Sequence, residues 1–124
     1  DIGGGTTNIA VFEDGNLKEC TCLNVGGRLV EIEKGSEIVT FISKPAKLFI
    51  DTYGIALSLG EKVSKVALEE LCSRMVDFVE NIAYGEKIPL ALKEILMASE
   101  LSNCQNYSGV MFSGGVAEYI YSKR

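Results

Sequence analysis

Apolar and polar residues alternate in short paired runs over the first third of the chain and then shift to a three- and four-residue rhythm, so strands come first and helices later. Thr7 to Phe12 and Leu17 to Leu23, joined at Glu13-Asp14-Gly15-Asn16, predict a hairpin whose turn is supplied by Asp-Gly. Leu29 to Glu33 and Glu37 to Ile42 predict a second pair around Lys34-Gly35-Ser36. Pro45 suits the first turn of a short helix that ends near Tyr53, with Gly54 in the left-handed stop position. Val63, Val66, Ala67, Leu71, Met75, Phe78, Val79 and Ile82 then form one apolar stripe, which predicts a longer helix packed on a core and closed by Gly85. Leu90 to Leu101 predicts a helix started by Pro89, although Ile95-Leu96-Met97-Ala98 also reads as a buried strand. Gly109 to Phe112 predicts a buried strand, Ser113-Gly114-Gly115 a sharp turn, and Val116-Ala117-Glu118 the first turn of a helix. Glu118 there reads as a first-turn acid favoured by the helix dipole and not as a catalytic base.

Two glycine-rich segments carry candidate chemistry. Asp1-Ile2-Gly3-Gly4-Gly5-Thr6-Thr7-Asn8 runs directly into an apolar strand. Consecutive glycines let backbone N–H groups approach an anion without Cβ interference. Thr6 and Thr7 add hydroxyl donors, and Asp1 adds a carboxylate able to hold a hydrated Mg²⁺ beside phosphate. The same run also suits an ordinary tight turn. The second segment, Ser113-Gly114-Gly115, lies between strand and helix, where bases and sugars of nucleotides rest in α/β folds. Neither Gly-Lys-Ser/Thr nor Gly-x-Gly-x-x-Gly opening a helix is present, so the commonest nucleotide motifs do not apply. Asn24-Val25-Gly26-Gly27-Arg28 reads on its residues as a strand end with a Gly-Gly bend and an exposed Arg28.

Composition narrows the chemistry. The 124 residues are 47% hydrophobic and 23% charged, which suits one folded domain. A net charge of -5 with scattered basic residues disfavours nucleic acid and anionic membrane as partners. No apolar run approaches the ~20 residues needed to span a bilayer, and the expected location is cytoplasmic. Histidine is absent, which removes the usual general base and the Ser-His and Cys-His nucleophile systems. What remains, carboxylates, hydroxyls and backbone dipoles, suits phosphoryl transfer. Cys20 and Cys22 alternate on one face of a strand, and Cys72 and Cys104 sit on or beside helical segments. None has zinc or redox spacing, so reduced structural thiols are expected. A chemically loaded loop at residue 1, with no initiator Met, leads us to expect a segment of a longer protein.

The Asp1 to Thr7 loop is similar to the second phosphate loop of the actin, heat-shock chaperone and sugar-kinase ATPase superfamily, and Ser113-Gly114-Gly115 resembles its adenosine motif. More narrowly, Cys22 to Arg28, Ser43-Lys44-Pro45-Ala46 and Phe112 to Tyr121 resemble the EutA family, reactivating factors of ethanolamine ammonia-lyase. This resemblance implies a single α/β domain over 1–124: one partial lobe of a ribonuclease-H-like, actin-like ATPase, with a mixed sheet flanked by helices. The first phosphate loop would lie upstream and more chain would follow. It also implies that Gly3, Gly4, Gly5, Thr6 and Thr7 cradle phosphate, that Asp1 orients Mg²⁺ or the attacking water, that Ser113, Gly114 and Gly115 pack near adenosine, and that the Asn24–Arg28 bend lines the nucleotide cleft, where Arg28 could meet an anion, or shapes the surface that meets the partner. The cofactors would be ATP and Mg²⁺. The partner would be ethanolamine ammonia-lyase, whose own damaged adenosylcobalamin is exchanged for intact coenzyme, with association to a bacterial microcompartment as a further expectation. The alternatives are another ATPase of the superfamily (a diol dehydratase reactivase, a small-molecule kinase or a cell-division scaffold) and a noncatalytic interaction module.

Overall fold

Asp14 and Gly15 both take positive φ, 52° and 78°, the combination that a tight hairpin needs to match the twist of its strands. They join β1 (Thr7–Glu13) to β2 (Asn16–Leu23), antiparallel, with Thr7 opposite Leu23 and a register irregularity at Val11/Phe12. β3 (Val30–Ile32) and β4 (Val39–Ile42) form the second antiparallel pair, turned through Gly35 and Glu37, which also have positive φ. The structure, a computed structural model, describes residues 1–101 and 107–121.

Ser43 and Ser64 each stand in extended conformation and accept the amide of the residue three positions on, Ala46 and Ala67, which caps α1 (Lys44–Tyr53) and α2 (Lys65–Ala83). Gly54 ends α1 in the left-handed conformation, donating to Ile50 O, and Gly85 follows α2 with φ 68°. Most of the predicted stripe is the buried face of α2: Ala67, Leu71, Met75, Phe78 and Ile82 point inward and Val79 packs beside them, whereas Val66, expected on that face, is exposed in the first turn, and Val63 lies before the helix. Phe78 meets Phe49 of α1 edge-to-face at 5.7 Å, and Arg74 lies 3.9 Å from the centre of the Tyr53 ring. The core joins these helices to Leu23, Val25, Val39, Leu92 and Ile95 from the strands and loops.

The α/β class holds, but the expected single mixed sheet does not form among the described residues. The named strands make two separate antiparallel pairs, each widened by isolated extended residues. Residues 90–101 divide between both sequence readings. Leu90–Ile95 is a 3₁₀ helix, and the chain then extends beside β2, with Met97 N–H donating to Cys22 O and Thr21 Oγ1 to Ser99 O. The predicted buried strand at 109–112 is overturned. Val110, Met111 and Phe112 are exposed, Met111 to 90%, and form no ladder. Among the described residues this segment meets no strand edge: Ser113 O accepts from Ile2 N–H, and Phe112 N–H donates to Tyr121 Oη and not to a neighbouring strand. α3 (Ala117–Tyr121) follows the Gly114-Gly115 turn, with Glu118 in its first turn, as the sequence predicted. No described helix is long and apolar enough to cross a membrane. Cys20, Cys22 and Cys72 are free thiols, whereas Cys104 lies outside the described residues.

Candidate functional site

Residues 1–8 fold back on themselves. Asp1 N donates to Asn8 O and Asn8 N to Asp1 O, both at 2.8 Å, and Gly3 N donates to Thr6 O at 2.9 Å, which leaves Gly4 and Gly5 at the tip. Thr7 is 1% exposed, and its hydroxyl donates to Val25 O at 2.7 Å, so it ties the base of this loop to the segment after β2. Thr6, Gly4 and Gly5 are exposed.

Two other segments close on this loop. Gly27 N donates to Gly3 O at 2.8 Å and Arg28 N to Gly4 O at 2.9 Å, so 27–28 is stitched along 3–4. Gly26 is buried there, and a Cβ on it would collide with Gly3 O and come within 2.6 Å of the Gly4 carbonyl carbon. From the far end of the chain, Ser113 O accepts from Ile2 N and Val116 N donates to Ile2 O, placing Gly114 against Asp1. Gly114 has φ 92°, and a Cβ there would meet the Asp1 carboxylate and lie 2.7 Å from Ile2 O. A Cβ on Gly27 would sit 2.8 Å from Val116 Cγ2. The three glycine-bearing segments therefore touch one another: at Gly26 and Gly114 backbone packs on backbone, and at Gly27 the Val116 side chain takes the space a Cβ would need.

Gly4 and Gly5 are different. Neither has positive φ, and a Cβ on either would meet nothing within 4 Å among the described residues. The amides of Gly4, Gly5 and Thr6 find no acceptor among the described residues either. This is an exposed row of donors on a glycine tip that neither conformation nor packing requires, an arrangement suited to a close-approaching anion. A Cβ-sized space over each glycine and unspent N–H groups fit phosphate oxygens. Asp1, exposed beside Gly114, supplies the carboxylate suited to a hydrated Mg²⁺. Ser113 and Gly115 are exposed on the neighbouring turn. Arg28, beside Gly4, is exposed as one sequence reading had it; its attachment to Gly4 and the Gly26 contact are what local pattern could not reveal.

A groove of about 690 Å³ runs from Asp1 and Ser113 along β1 to Tyr84 and Tyr107. Its walls include Ile9, Val11, Val79 and Met111 but not Gly3, Gly4, Gly5 or Thr6, so this mainly apolar channel starts at Asp1 and Ser113 and runs away from the donor tip. Among the described residues no cluster of three or more acidic or thiol groups suits a metal held by protein ligands alone.

A family model described as ethanolamine utilisation protein EutA matches residues 1–124. The chain belongs to the EutA family. It is 31% identical over 118 residues to the ethanolamine ammonia-lyase reactivase EutA of Salmonella typhimurium, across 95% of this chain and 25% of that protein. The reactivase EutA of Escherichia coli gives the same identity and coverage. The cell division protein FtsA of Neisseria meningitidis serogroup B is 26% identical over 126 residues, across 94% of this chain and 30% of its own length. The chain thus spans about a quarter of the length of the EutA relatives it matches. No solved structure gives a significant match.

Proposed function

We propose that the chain is the part of an ATP-dependent, chaperone-like reactivating factor that carries the second phosphate loop and the adenosine-side turn. The whole protein would act on adenosylcobalamin-dependent ethanolamine ammonia-lyase. The reading rests on one observation: Gly4 and Gly5 form an open donor row that the fold itself does not require, at the meeting point of all three glycine segments. The reactivase names of the Salmonella and Escherichia relatives supply the job, and the likeness to a cell division protein fits an actin-like, ribonuclease-H-like lobe.

Gly4, Gly5 and Thr6 would hold phosphate oxygens by backbone and hydroxyl donors, whereas the Gly3 N–H and the Thr7 hydroxyl, both expected from the sequence to meet phosphate, are already given to Thr6 O and Val25 O. Thr7 would hold the loop in shape through Val25, and Ser113, Gly114 and Gly115 would form the adenosine side. Asp1 would orient water at a bound Mg²⁺, whose chemistry is to neutralise phosphate charge. Different affinities of the ATP and ADP states for the lyase would drive release of damaged cobalamin. The site of action would be the cytoplasm, in association with a microcompartment.

The test uses the full-length protein, a lyase inactivated by damaged coenzyme, ATP, Mg²⁺ and fresh adenosylcobalamin. Wild type restores activity. Asp1→Ala still binds nucleotide, hydrolyses it orders of magnitude more slowly and restores nothing; Gly4→Val loses nucleotide binding with an unchanged far-UV circular dichroism spectrum. A wild type that hydrolyses ATP yet restores no lyase refutes the reactivase reading. Unaltered ATP affinity in Gly4→Val returns the loop to an ordinary turn.

A further inference from the structure

Arg28 is placed by its own backbone. Its N–H donates to Gly4 O at 2.9 Å, and its neighbour Gly27 donates to Gly3 O, so the residue cannot drift from the loop without breaking both bonds. Buried Gly26, in backbone contact with Gly3 and Gly4, fixes the approach from the other side. The side chain is exposed, and no carboxylate lies within ion-pair distance of it among the described residues. In the three segments that meet here, residues 1–8, 24–29 and 113–117, Arg28 is also the single cationic side chain. Lys18, the other basic residue before β3, is occupied with Glu13 at the far end of the β1–β2 hairpin.

The backbone donors of the tip carry only partial charge, and a nucleoside triphosphate brings more negative charge than a diphosphate. A guanidinium fork matches two oxygens of one phosphoryl group at once. We infer that Arg28 reads the terminal phosphate at this loop and makes the site prefer nucleoside triphosphate over diphosphate. The inference rests on the nucleotide reading above. Its substrate class is the polyphosphate end of the ligand, whatever the base.

The experiment is calorimetric titration of the full-length protein with ADP and with a non-hydrolysable ATP analogue, both with Mg²⁺, for wild type, Arg28→Ala and Arg28→Lys. Arg28→Ala weakens the ATP analogue about tenfold or more, the scale of one lost charge-assisted contact, and changes ADP by less than about threefold. Arg28→Lys falls between, because charge is kept and the fork is lost. Thermal unfolding of all three without ligand coincides, since the native contact is made by the residue 28 amide. Wild type that binds nucleotide with an unchanged preference in Arg28→Ala overturns the assignment of Arg28 and leaves the loop reading intact. Wild type that binds neither nucleotide overturns both.

Discussion

Glycines that look alike in the sequence do opposite work at residue scale. Gly26→Ala forces a methyl group onto the Gly3 and Gly4 backbone, which cannot swing aside as a side chain would. Overpacking of this kind costs about 1–3 kcal/mol, so the variant unfolds at lower denaturant in an equilibrium titration. Gly5→Ala enters open space at ordinary φ and stays within about 0.5 kcal/mol of wild type in the same titration. The contrast separates a glycine kept for packing from one kept for a ligand. Cys72 offers a second residue-scale prediction. Although the residue is exposed, partial burial of its thiol on α2 raises its pKa. Raising an acid's pKa lowers its thiolate fraction at any given pH. Alkylation of Cys72 by iodoacetamide, followed by mass spectrometry, therefore runs slower at pH 8 than for a free cysteine and accelerates as pH rises beyond the ordinary thiol range.

Elements with a local cause were legible in the sequence. Asp14-Gly15 set one hairpin, Lys34-Gly35-Ser36 the other, and the stripe from Ala67 to Ile82 marked α2 because its side chains, three or four apart, had to reach the same core, whereas Val66 did not. Ser64 shows how much one cap carries. Its hydroxyl accepts the Ala67 amide, and Ser64→Ala loses about 1 kcal/mol, measured as a shift in the unfolding midpoint, with no change in the folded spectrum. Elements with a non-local cause were not legible. Val110, Met111 and Phe112 have the composition of a buried strand, but a strand exists only against an edge, and composition cannot report which edge is available. Leu96 and Met97 had such an edge in β2 and became extended; Leu90–Ile95, before them, did not and coiled.

For the whole molecule, the glycine runs were visible in the sequence, yet their convergence was not, because no local pattern says that residue 26 packs on residue 3 or that residue 114 packs on residue 1. The assembled site is also one-sided: Gly4, Gly5 and Thr6 face open surroundings among the described residues. Phosphoryl transfer relies on fixed charges in a site that excludes water. The chain of 1–124 alone therefore turns over ATP far below the ordinary enzymatic range of about 1 to 1000 per second, by a phosphate-release assay. The bonds joining Ile2 to Ser113 and Val116 have a kinetic meaning as well. They close a loop nearly as long as the chain, whereas the β1–β2 ladder closes over a few residues, and long closures form late because their entropy must be lost before any contact compensates. The loop thus gains its third wall last and loses it first. In amide hydrogen exchange, Ile2 and Val116 take up deuterium well before the paired amides of β2, so the region proposed to meet nucleotide opens while the hairpin beneath it stays folded.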